Sequence, residues 1–193
     1  MHQMRCSCGE IEMEIQESPA LRSVCFCTDC MGTLDTLESI GVDALRTEDR
    51  GHMTSLVYSD SIRVTRGSDK LAAFYQRKPA SLRMYSTCCQ VYLGAYASGL
   101  KVAMLSSALF DDGDHSDCFK VNAGSLSQEQ RDAIEGAHKT APFGFILKFM
   151  GAALMPFNGH KKVQWIPDSV LEAPSSQELI RQSGSSPTSP TRG

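Results

Sequence analysis

The segment VCFCTDCMG, residues 24–32, places Cys25, Cys27 and Cys30 within six positions. Cys6 and Cys8 stand near the N-terminus, Cys88 and Cys89 are adjacent in mid-chain, and Cys118 is alone. Zinc is held tetrahedrally by thiolates at about 2.3 Å, so its ligand sulfurs must converge. Cys-x-Cys and Cys-x-x-Cys turns point their sulfurs to one side of a short loop, and the bound ion keeps them deprotonated. Cys6 and Cys8 supply half a tetrahedron, and Cys88 and Cys89, at a second turn, are the partners on offer. A site closed from two distant segments staples the N-terminal strand to the middle of a sheet, which is a structural role. Cys25, Cys27 and Cys30 come from one segment and number three. Three protein ligands leave a fourth position for water or substrate, as catalytic zinc requires. An open, thiolate-rich zinc would take a substrate thiol as thiolate at neutral pH. Other readings stay open: closure of the triad by a histidine or carboxylate, a redox-sensitive thiol group, or spare thiols beside one closed site.

Other candidates carry less. Cys118 ends DDGDHSDC, with His115 at ligand-like spacing, but the segment lacks the Gly and terminal Glu of a calcium loop. It reads as a solvated acidic turn with an incidental thiol. Asp29 lies inside the triad loop and reads as a turn former rather than a general base. His2, His52, His138 and His160 are isolated and receive no role.

The chain has 193 residues, 41% of them apolar and 21% charged, which suits one globular domain with an appendage. A net charge of −3 offers neither the basic footprint of a nucleic-acid binder nor a polybasic membrane patch. MHQMRCSCGE has no apolar core of a secretory signal, which places the protein in the reducing cytoplasm by default. There, clustered cysteines serve metal binding or catalysis more often than disulfides.

Several stretches must position these thiols. EIEMEIQE (10–17) alternates strictly, with Ile11, Met13 and Ile15 on one side and glutamates on the other, so it reads as a half-buried strand. Residues 31–52 fit a short helix or a loop with a strand. SIRVTRG and KLAAFYQ (61–76) read as a hairpin turning at Gly67, and LRMYSTCCQVYLGAY (82–96) as two strands joined at the cysteine pair. Many short strands with glycine-containing turns make the fold mainly β. One helix is predicted over 127–138, where Ser127 and Gln130 form a capping box. Another is predicted from Pro142 to about Met155; it is too short to span a bilayer and reads as a core-covering helix, the alternative being a membrane-surface or partner-binding helix. The resulting division is a zinc-binding β domain (1–100), a helical extension packed on it (101–172) and a disordered Ser/Pro-rich tail (173–193).

CSCG, CFCTDC, SIRVTRGSDKLAAFY and LRMYSTCC together resemble the glutathione-dependent formaldehyde-activating enzyme family, over roughly residues 4–96. The centromere protein V domain shares its fold. The resemblance implies an Mss4-like arrangement of coiled β-sheets around two zinc ions, followed here by one or two helices. It assigns Cys6, Cys8 and Cys89 to a structural zinc, and Cys25, Cys27 and Cys30 to a catalytic one. It implies a carbon–sulfur lyase acting on a small thiol, glutathione, and a small carbonyl compound. The alternative is a non-catalytic, zinc-stabilised interaction module; a thiol redox sensor is a third reading. The departure lies at the late motif. The family's first late cysteine falls on Ser86 and its glycine on Gln90, while Cys88 is extra, so the fourth structural ligand is Cys88 or water.

Overall fold

A computed structural model describes residues 1–76, 81–97, 102–111, 118–154 and 165–184. The fold is mainly β, and its described strands form two sheets. The smaller sheet joins β1 (His2–Arg5), β2 (Glu12–Ile15) and β5 (Ile62–Arg66), all antiparallel. The alternation of β2 is realised as expected. Met13 and Ile15 are buried, while Glu12 and Glu14 pair with Arg5 and Arg63 at 2.6 and 2.5 Å. Exposed ion pairs of this kind contribute about 0–1 kcal/mol each, against about 1.5–3 kcal/mol for a buried Met or Ile. The apolar side of β2 therefore sets its register.

The larger sheet runs β10 (Cys118–Val121), β3 (Leu21–Cys25), β4 (His52–Tyr58), β9 (Val102–Ser106), β8 (Tyr92–Ala97), β7 (Leu82–Ser86), β6 (Leu71–Tyr75). Only β10, paired with β3, is parallel to its neighbour. Residues 82–96 form the expected pair of strands. The expected hairpin over 61–76 does not form: β5 joins the small sheet and β6 the large one. Gly67 is the reason. It is left-handed (φ 72°), and a Cβ there would stand 2.2 Å from the Glu10 carbonyl oxygen. A single 3-10 turn, Ser68–Lys70, then redirects the chain into the other sheet.

The ambiguous stretch after residue 31 is resolved as α1 (Thr28–Ser39). The capping box of Ser127 and Gln130 is present, but α2 spans only Gln128–Asp132. Beyond it the chain is drawn into pairing beside β10, where the His138 amide donates to the Lys120 carbonyl. α3 (Phe143–Leu154) follows, then α4 (Asp168–Leu171) and α5 (Ser176–Gln182). The segment beyond residue 100 thus contributes β9 and β10 to the larger sheet before its helices. Of the Ser/Pro-rich tail, residues 185–193 lie outside the described residues, as does His115. No helix of the described residues is long and apolar enough to cross a membrane.

Each strand of the larger sheet has two faces. Val57, Leu82, Met84, Leu93, Ala103 and Leu105 face the small sheet and form one core with Met4, Ile11, Met13 and Ile15. The opposite face is covered by α1, whose Leu34 and Leu37 pack on Phe74 and Tyr92, and by α3, whose Phe145 and Phe149 pack near Leu21, Leu56 and Val102. α3 is only half covered: Phe143, Ile146, Leu147 and Met150 remain exposed.

Candidate functional site

Two groups of thiols converge. The first begins where β1 ends. The Gly9 amide donates to the Cys6 carbonyl (2.8 Å), with Gly9 in the left-handed region (φ 74°), and the Ile11 amide donates to Cys6 Sγ at 3.2 Å. This turn sets the Cys6 and Cys8 sulfurs 3.5 Å apart. The turn between β7 and β8 brings Cys88 Sγ to 3.8 Å from Cys6 and 3.4 Å from Cys8. With Cys89, all four sulfurs lie within 4.8 Å of one another. A tetrahedron of sulfurs around zinc has edges of about 3.8 Å, so this donor set fits the ion in type and spacing. Ser86 is fully buried; its Oγ accepts from the Val91 amide (3.1 Å) and lies 3.2 Å from Cys89 Sγ. It braces the turn while the extra cysteine enters the cluster.

The second group is the triad. Cys25 ends β3, Cys27 caps α1 by accepting the Cys30 amide (3.4 Å), and Cys30 lies in the first helical turn. Their sulfurs also lie within 4.8 Å of one another, and among the described residues no fourth Cys, His, Asp or Glu joins them. Hydrogen bonds from the Cys25 and Cys30 thiols, helped by the amides of Cys30 and Asp29, hold the Cys27 thiol far below its ordinary pKa. A helix N-terminus favours the anion further. The same contact with Cys27 raises Cys25, and the contact with Cys25 raises Cys30. Asn122, left-handed at the end of β10 (φ 60°), directs its amide to Cys25 Sγ at 3.7 Å. The triad is a single thiolate centre that fits a soft, positive ion. Cys118 joins neither group.

The triad opens on a cavity of ≈ 290 Å³ between the larger sheet, α1 and α3. Cross-strand register assembles its floor: Cys25 opposite His52, Ser23 opposite Thr54, and Met104 opposite Ala95, itself opposite Arg83. Phe145 and Phe149 form the α3 side, and Asp29 lies exposed at the rim.

Three of these residues carried no functional signal in the sequence. Arg83 is 6% exposed; among the described residues its Nε has no hydrogen-bond partner, and its side chain shares a hydrogen bond with Tyr92. Burial alone would lower its pKa, but the Tyr92 phenol and the Cys30 thiol outweigh this, so the guanidinium stays charged. Burial pushes Tyr92 up to about 12, so the phenol stays neutral. The His52 ring lies 4.7 Å from that of Tyr92, tilted by 42°, and burial, with the charge of Arg83, lowers its pKa to about 3. The Ser106 hydroxyl donates to the Tyr92 carbonyl (2.9 Å), so the 3.0 Å contact between His52 Nε2 and Ser106 Oγ makes Nε2 the protonated nitrogen. His52, given no role there, lines the cavity, and no spacing rule would have found it.

Residues 1–42 match the family model described as glutathione-dependent formaldehyde-activating enzyme. The N-terminal part of the chain is similar to that family. The match spans β1 to α1 and includes Cys6, Cys8, Cys25, Cys27 and Cys30. No curated protein matches the chain significantly. A crystal structure of a Rhodobacter sphaeroides protein, a structural-genomics target, is similar at 17% identity and a TM-score of 0.43, covering 60% of this chain and 93% of that one.

Proposed function

We propose that the protein is a zinc-dependent carbon–sulfur lyase-type enzyme acting on a thiol and a small carbonyl compound. The observation that carries the reading is the contrast between the two clusters. One gathers four sulfurs; the other gathers three at a strand end and a helix N-terminus, with a cavity in front of them. In this reading Cys6, Cys8, Cys88 and Cys89 hold a structural zinc, and Cys25, Cys27 and Cys30 hold a catalytic one. Bound there, zinc would act as a Lewis acid that holds an incoming thiol as thiolate. The reaction is redox-neutral: sulfur adds to the carbonyl carbon, and the thiol proton ends on the carbonyl oxygen. The chain's own residues shape the cavity, exclude water from its floor and keep a positive charge, Arg83, beside the thiolates. Glutathione is the thiol that the family description names. Zinc-holding thiolates in both clusters would suit a reducing, cytoplasmic setting.

The test is exchange spectroscopy on labelled formaldehyde with glutathione and smaller thiols. The zinc-loaded protein is expected to speed formation and breakdown of the S-hydroxymethyl adduct, and Cys27→Ser to abolish the effect. Equal rates with and without protein would sink the proposal.

One observation favours a second reading, a zinc-stabilised interaction module. α3 leaves Phe143 and Leu147 exposed at 74% and 56%. That reading expects both clusters to hold metal and neither to turn over substrate.

A further inference from the structure

The cavity in front of the triad has a lining of unlike parts. Among the described residues its buried cation is Arg83, beside Tyr92 and within the field of the Cys27 and Cys30 thiols. Its apolar wall is Ala95, paired with Arg83, Val121, paired with Cys25, and Met104, together with Phe145 and Phe149 of α3, stacked at 6.1 Å and 13°. At ≈ 290 Å³ the space sits at the lower end of the range that small-molecule sites occupy. Three thiolates around a divalent ion carry one excess negative charge, and a fourth, substrate thiolate adds another. Arg83 offsets part of that excess, and no second cation lines the cavity among the described residues. Lys148 lies over the Phe119 ring at 5.5 Å, outside the lining, and the exposed Asp29 adds negative charge at the rim. Carboxylates or an ammonium group pushed against the apolar wall of Phe145 and Phe149 would lose water without gaining a partner there, which costs heavily.

We propose that the site selects compact thiols with an apolar or aromatic body, in preference to glutathione or other thiols bearing carboxylates. The proposal rests on the reading of the triad as an open zinc site. Arg83 stabilises the added thiolate, and Phe145 and Phe149 hold the substituent; these two are specificity residues without a chemical role.

Cobalt(II) replaces zinc in the intact chain for the test. Its visible bands report a fourth ligand entering the three-thiolate centre, whereas a four-sulfur cluster is already closed. Phenylmethanethiol, 2-mercaptoethanol, mercaptosuccinate and glutathione are titrated separately. Phenylmethanethiol is expected to half-saturate at least about tenfold below glutathione and mercaptosuccinate, the size expected for burying an aromatic body. Phe149→Ala should cut that preference several-fold while leaving the thiol-free spectrum unchanged, and Phe149→Leu should retain most of it. Tighter or equal binding of glutathione overturns the selectivity while leaving the open site intact. So does a preference that survives Phe149→Ala. Bands that respond to no thiol overturn the open site, and the selectivity with it.

Discussion

Cys8 Sγ and Cys88 Sγ lie 3.4 Å apart across 80 positions of sequence. One belongs to the turn after β1, in the smaller sheet; the other belongs to the turn between β7 and β8, in the larger. Among the described residues the two sheets share no strand ladder, so the sulfur cluster is a direct tie between them. A structural zinc in such a site contributes folding free energy on the order of 10 kcal/mol, comparable with the whole stability of a typical domain. Cys8→Ser and Cys88→Ser are each expected to lose one zinc equivalent and to unfold at ordinary temperatures. Metal analysis with thermal denaturation checks this. A Cys88→Ser protein that keeps both ions and its melting temperature would assign the fourth position to water.

Cys27→Ser should behave differently. Serine is a preferred N-cap, so the hydrogen bond that starts α1 survives the substitution. The variant is expected to lose the other zinc equivalent while its melting temperature moves by only a few degrees. Collapse as severe as that of Cys8→Ser would make the triad structural.

His52 gives a dependence on pH. Its pKa in the folded protein is about 3, below the ordinary 6.5, because burial and Arg83 disfavour its charged form. Protonation therefore favours the unfolded chain. The stability it contributes is complete above pH 6.5 and is lost as pH falls toward 3. Between pH 7 and pH 5 the loss due to His52 should be about 2 kcal/mol. Urea denaturation of the zinc-saturated protein and of His52→Gln measures it, since acid displacement of metal affects both alike. Parallel slopes for the two proteins would refute the assignment.

Gly67→Ala tests the crossing between sheets. Gly67 and Gly136 have the same positive φ of 72°, but only at Gly67 would a Cβ strike backbone, while Gly136 has open space. Gly136→Ala is expected to cost about 1 kcal/mol, the usual penalty of a left-handed residue with a side chain. Gly67→Ala should cost roughly 2–3 kcal/mol more, because the Glu10 backbone must also move. Equilibrium unfolding of the two variants separates the terms, and equal costs would remove Gly67 from its role at the crossing.

Much of the site was legible before any fold was known. The spacing of Cys25, Cys27 and Cys30, and of Cys6 and Cys8, is short enough that local turn geometry alone brings the sulfurs together. The alternation of Ile11, Met13 and Ile15 marked a strand for the same reason: side-chain period is a property of a few consecutive residues. Ser127 and Gln130 marked a helix start correctly, but the end of that helix was set by its pairing with Lys120, far away in sequence.

The sequence by itself determined which thiols share a turn. Only the tertiary structure decided that Cys88 enters the four-sulfur cluster while Ser86 braces it, and that β5 and β6 part at Gly67 into different sheets. It alone placed Arg83, His52 and Tyr92 in front of the triad. The physical reason is range. A turn is governed by the backbone preferences of three or four neighbours, whereas a cross-strand neighbour depends on the register of every strand between, which only the packed core fixes.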